Sequence, residues 1–133
     1  MYFADTPKGV IWRFTYDIGA GVPADRQVFA TFKDQPGTPD GSCVDAEGCL
    51  WNAQWNGSRI VRYTPSGKVD RAIELPVSNP TCVAFGGSKL DILYITTARY
   101  LMKPEEIEAC PIAGALFALS PGVSGVPSKK FAA

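Results

Sequence analysis

The feature that most constrains this chain is that it repeats itself. Three stretches share one pattern: a short apolar-aromatic segment, a turn, and a second segment that opens just after a glycine. Met1-Tyr2-Phe3-Ala4 leads to Gly9-Val10-Ile11-Trp12-Arg13-Phe14. Leu50-Trp51-Asn52-Ala53 leads to Gly57-Ser58-Arg59-Ile60-Val61-Arg62-Tyr63. Leu93-Tyr94-Ile95-Thr96 leads, after an insertion, to Gly114-Ala115-Leu116-Phe117-Ala118-Leu119. The copies start at residues 1, 50 and 93, a spacing of 49 and 43 residues, which suits four-stranded blades of a β-propeller. Before the second and third copies lies a further matching segment, Asp40-Gly41-Ser42-Cys43-Val44 in one and Asn79-Pro80-Thr81-Cys82-Val83 in the other. Each blade is thus expected to have an inner strand with Asp or Asn at its start.

The first copy has no such segment ahead of it, so the first blade is expected to lack its innermost strand. The reading is an all-β fold, a single domain over residues 1–133, with blade-like units at about 1–34, 35–77 and 78–133. Two full blades and one incomplete blade are expected. Asn56-Gly57 predicts a hairpin of type I′, since both residues tolerate positive φ. Gln27 to Phe32 and Val69 to Leu75 read as outer strands, the latter stopped by Pro76. One short helix is expected at Pro104 to Ala109, with proline at its first position and Glu105 and Glu106 at the positive end of its dipole.

Composition narrows the chemistry. Thirteen Lys+Arg balance thirteen Asp+Glu, leaving no net field for nucleic acid or an anionic membrane. There is no histidine, which removes Ser-His-Asp and Cys-His nucleophile systems and histidine metal sites. Cys43, Cys49, Cys82 and Cys110 have no C-x-x-C spacing and are expected to be buried or half-buried thiols. Met1 to Asp5 lack the basic and apolar regions of a signal peptide, so a cytoplasmic location is expected.

Several ordered motifs carry a family resemblance. Thr38-Pro39-Asp40-Gly41, then Val44-Asp45-Ala46-Glu47-Gly48 and Leu50-Trp51, resembles the P-D-G inner strand and D-x-x-G turn of the gluconolactonase/regucalcin (senescence marker protein) family. Gly57 to Tyr63 with Pro65-Ser66-Gly67, Thr97-Ala98-Arg99 with Pro111 to Phe117, and the opening Tyr2-Phe3-Ala4-Asp5-Thr6 are similar to other family segments. The resemblance implies part of a six-bladed propeller, a divalent metal (Ca or Zn), and hydrolysis of sugar lactones. It implies that Asp40 is a metal ligand and catalytic carboxylate. The family's other metal ligands, a Glu and an Asn, have no counterpart in this sequence.

Two further residues are candidates for substrate binding. Asn79 matches Asp40 one blade on, with turn formation before Pro80 as the alternative. Arg99 is read as an anion-stabilising group, or else as the partner of a loop carboxylate. Asp45 is read as a solvent-side turn residue without chemistry. Trp12, Trp51 and Trp55 are assigned to packing between blades, with sugar stacking an alternative for Trp55. Two functions follow: a metal-dependent lactonase, or a non-catalytic half-propeller that binds or self-associates. The second predicts that uncovered blade faces drive formation of a homodimer, and both hold if each site is completed across that interface.

Overall fold

A computed structural model describes residues 1–128. Within them the chain forms three antiparallel sheets, and each sheet is built from one continuous stretch of sequence. The first contains β1 (Tyr2–Asp5), β2 (Val10–Asp17) and β3 (Val22–Thr31), in that order. The second contains β4 (Thr38–Val44), β5 (Leu50–Trp55), β6 (Arg59–Tyr63) and β7 (Val69–Glu74). In the third, β9 (Ile92–Thr97) lies between β8 (Pro80–Gly86) and β10 (Phe117–Leu119). The single α-helix among the described residues, α1, spans Pro104–Ala109 between β9 and β10, where proline and the two glutamates predict it.

Period-two alternation decides how the sheets stack. On β5, Leu50, Asn52 and Gln54 alternate with Trp51 and Ala53, and all five are buried. Leu50 joins Val61 and Tyr63 of β6 in a cluster with Ile11, Phe29 and Phe32 of the first sheet. Trp51 and Ala53 join Ile60 in a second cluster with Val83, Leu93 and Ile95 of the third sheet. The middle sheet is therefore covered on both faces, and each buried Leu or Ile contributes about 1.5–3 kcal/mol. Tyr2, Phe29 and Tyr63 continue the first cluster as edge-on aromatic contacts with centroids 4.8 and 6.0 Å apart.

Three expectations need correction. The third sheet has three strands among the described residues, so one sheet is four-stranded rather than two. After β10 no fourth strand follows among the described residues. The chain folds back, with Gly125 N–H bonded to Leu90 O at 2.7 Å and Ala46 N–H to Ser124 O at 2.8 Å. The hairpin at Asn56-Gly57 forms, but the positive φ values fall on Asn56 (56°) and Ser58 (50°) rather than on Gly57. Gly57 is needed for space, because a Cβ there would lie 2.8 Å from Pro36 O. Finally, Cys82 is exposed, not buried or half-buried. The first sheet agrees with its reading: β1 pairs with β2 and has no strand on its other edge among the described residues.

Candidate functional site

Strand β4 contacts β1 and β8, each of the three being an edge strand of its own sheet, and it carries Asp40. Its strand is irregular there: Pro39 faces Gln54 and Ser42 faces Asn52, so β4 carries an extra residue across Asp40-Gly41. Bulges of this kind re-aim a side chain. Three hydrogen bonds hold the bulge in place. The Asn52 amide donates to Asp40 O at 2.8 Å and to Ser42 Oγ at 3.0 Å, and Thr6 Oγ1 donates to Pro39 O at 2.7 Å. Gly41 is required by close approach, since a Cβ would sit 2.5 Å from Cys82 Sγ and 2.7 Å from Cys82 Cα.

The Asp40 carboxyl lines a cavity of about 300 Å³ between β1 and β4, with Tyr2, Phe3, Thr6 and Ser42. Burial pushes its pKa up, and the Gly41 amide offsets only part of that rise. No ion pair with Asp40 exists among the described residues. An uncompensated carboxylate facing a cavity is suited to accept a proton or to ligate a cation.

The described residues do not fit a divalent cation unaided. Among them, no three Asp, Glu or Cys side chains are placed to hold a metal ion. Calcium takes about 6–8 oxygen ligands, and zinc needs at least three protein ligands. Asp40 supplies one.

Asn79 and Arg99 do not share the Asp40 cavity. Asn79 begins the approach to β8 and is buried, lining a cavity of about 250 Å³ with Trp55, Ser78, Met102 and Glu106. Arg99 is exposed beside a third cavity of about 520 Å³. Its Nε and Nη2 donate to the carbonyls of Ala113 and Pro111, both at 2.7 Å. Arg99 thus clamps the backbone of the insertion before β10, and it has no carboxylate partner among the described residues. The tryptophans also differ in role. Trp51 packs between the second and third sheets, whereas Trp12 stays within the first sheet, under Arg26 at 4.7 Å. Trp55 meets Tyr100 with centroids 6.3 Å apart.

Asp45 is the clearest misreading. It is buried, not on the solvent side. Its carboxylate accepts hydrogen bonds from the Glu47 and Cys49 amides, from Trp51 Nε1 at 2.9 Å and from Arg62 Nε at 2.8 Å. Burial would raise its pKa, but the Arg62 guanidinium, the Trp51 indole and the Cys49 amide hold it below the ordinary carboxylate range. Arg62 also binds Glu47 and Asp70, so three carboxylates surround one buried cation. Asn52 also escaped the sequence reading. Its signal was available: Asn52 and Gln54 interrupt an otherwise apolar β5.

Three consecutive hairpin-built sheets, with the Asp40 carboxyl beside a cavity on β4, define a repeat-built all-β protein. A profile of the SMP-30/gluconolactonase/LRE-like region matches residues 1–99, and the chain belongs to that family. It is 41% identical over 132 residues to a 6-deoxy-6-sulfogluconolactonase of Pseudomonas putida, covering 98% of this chain and 45% of that protein. It is 38% identical to an L-arabinolactonase of Azospirillum brasilense, covering 99% of this chain and 43% of the relative. The crystal structure of regucalcin from Agrobacterium tumefaciens, described as a calcium-binding protein, superposes with a TM-score of 0.88 at 35% identity. That superposition covers 94% of this chain and 43% of the regucalcin chain. The chain therefore spans less than half the length of these relatives.

Proposed function

We propose that this chain forms about three blades of a six-bladed β-propeller that hydrolyses sugar lactones, with Asp40 as its catalytic carboxylate. The observation that carries this reading is the uncompensated Asp40 carboxyl on the bulged inner strand, in the P-D-G segment of a chain matched over nearly its full length to sugar lactonases. In lactone hydrolysis a water oxygen bonds to the acyl carbon, the ring C–O bond breaks, and the water proton passes to the leaving ring oxygen. Asp40 would take that proton and return it, and its raised pKa makes the carboxylate a better base. A calcium or zinc ion at this cavity requires ligands beyond those described, from a second chain or from a complementary segment. The test is acid release from glucono-1,5-lactone and arabinono-1,4-lactone by the purified chain, with and without added calcium or zinc, above spontaneous hydrolysis. Undiminished turnover in Asp40→Asn would remove Asp40 from the reaction.

A second reading, a self-associating non-catalytic module, is favoured by the open edge of β1 and the exposure of Phe3 (55%) on it. Leu116 is also exposed at 64%, although Phe117 and Leu119 pack against the second cluster instead of standing free. A homodimer that buries these edges would need an interface of about 2,000 Å² to be obligate. Light scattering at micromolar concentration tests it, and a stable monomer would overturn it. A cytoplasmic setting is part of the proposal, supported by four unpaired cysteines. Alkylation of four thiols in freshly extracted protein is expected, and recovery of a native disulfide would contradict it.

A further inference from the structure

We propose that the cavity bounded by the end of β5, the connection before β8 and the insertion carrying α1, and lined by Asn79, Trp55 and Glu106, is a binding site for a neutral sugar ring, separate from the Asp40 cavity. This site does not depend on lactone hydrolysis.

Asn79 is the starting observation. Its residue is only 6% exposed, and its side-chain amide makes no hydrogen bond to the described residues, although its backbone carbonyl accepts Ala98 N–H at 3.0 Å. A primary amide offers two N–H donors and a carbonyl acceptor, and burying them unmet is costly. The amide is not sealed, however. Asn52 Oδ1 is the one side-chain nitrogen or oxygen among the described residues that is both closed off from solvent and without a partner. The Asn79 amide therefore keeps access to solvent, and the cavity that Asn79 lines is where a ligand could meet its unmet hydrogen-bonding capacity.

The rest of the lining specifies the ligand. Trp55 gives an aromatic surface, buttressed by Tyr100 at 6.3 Å with the ring planes 56° apart. Met102 adds an adaptable apolar wall. Opposite in character are the Ser78 hydroxyl and the Glu106 carboxylate, which accepts the Lys103 amide at 2.7 Å and keeps further lone pairs free. A sugar ring has this same division, with C–H faces that lie on an aromatic ring and a rim of hydroxyls that pair with amide and carboxylate. The volume of about 250 Å³ lies just below that of drug-sized pockets, ~300–1,000 Å³, and suits one ring rather than an oligosaccharide. Charge sets the final restriction. The lining carries Glu106 and no Lys or Arg, so it disfavours an aldonate and favours an uncharged ring.

The test titrates the full chain with D-glucose, a neutral ring, and D-gluconate, a carboxylate of the same carbon number, by saturation-transfer NMR. Saturable D-glucose binding is expected, with D-gluconate about tenfold weaker. Asn79→Ala and Trp55→Ala should each weaken D-glucose about tenfold, the scale of one lost hydrogen bond or stacking contact. Asp40→Asn should leave binding unchanged. Should either large-to-small variant fail to fold by far-ultraviolet dichroism, Glu106→Gln on the exposed helix carries the test, and it must narrow the gap between D-glucose and D-gluconate. The proposal is overturned by absence of saturable D-glucose binding, by equal affinity for D-gluconate, by insensitivity to these variants, or by loss of binding in Asp40→Asn. D-glucose binding in a chain that hydrolyses no lactone would leave this site standing and sink the enzymatic reading alone.

Discussion

Asp40 and Asp45 lie five residues apart, one on the bulge within β4 and one just beyond its end, and their surroundings are opposite. Asp45 is sealed in, with an arginine, an indole N–H and two amides on its oxygens. Asp40 borders a cavity with no cationic partner among the described residues. One environment lowers the carboxyl pKa and the other raises it. The compensated group is part of the architecture, tying the turn after β4 to β6. The uncompensated group sits in an environment that costs stability, which is how groups retained for chemistry are commonly found.

The sharpest way to break this comparison is to strip the compensation from Asp45. Arg62→Met leaves a buried carboxylate without its cation, and a loss of about 3–5 kcal/mol in unfolding free energy is expected by urea denaturation. A loss under about 1 kcal/mol would show that the cluster is solvated and dispensable. The pH dependence follows from the direction of the shift. Asp45 has a folded pKa below its unfolded value of about 3.9, so its stabilisation is complete above that value and disappears as pH falls through the folded pKa. Wild type should therefore lose stability steeply below about pH 4, and Arg62→Met should show a shallower acid slope.

At the other end, Gly41→Ala tests whether the two inner strands are as close as their geometry indicates. The added methyl meets Cys82 backbone as well as its sulfur, so β4 and β8 must separate. An expected cost of about 1–3 kcal/mol, read as a lower thermal midpoint, is the scale of overpacking. A neutral outcome would mean that the strands part freely.

The smallest effect belongs to Asp40→Asn. Its raised pKa means the ionised carboxylate opposes folding, so its cost is absent below the unfolded value and grows as pH rises through the folded one. Replacement by asparagine should leave stability unchanged or slightly higher at neutral pH, within about 0.5 kcal/mol. Marked destabilisation would place Asp40 with Asp45 as an architectural residue.

The same pair shows how far the sequence could be read. Period-two alternation and turn residues identify the strands well, and Pro104 with Glu105 and Glu106 marks the helix to the residue. Asp40 is legible because a motif surrounds it. Asp45 is misread because Asp followed by Gly three residues on describes an exposed turn equally well, and its partner Arg62 lies seventeen residues away on another strand. The fold-back that follows β10 also depends on non-local bonds, from Gly125 to Leu90 and from Ala46 to Ser124. Asn79 and Arg99 match sequence positions that point toward chemistry, but the folded chain separates them into different cavities.

That returning segment has a mechanical consequence. Ser124 and Gly125 bridge the turn after β4, and Arg71 of β7 reaches Pro121 O at 3.2 Å. The tail is thus stitched across the second and third sheets by main-chain bonds. The first sheet meets the second through side-chain packing and side-chain hydrogen bonds, with no main-chain bond between them among the described residues. Under a pulling force or a protease, the molecule behaves as a latched pair with a leaf resting against it. The leaf detaches first, and the latched pair opens together once the segment from Pro121 to Gly125 lets go.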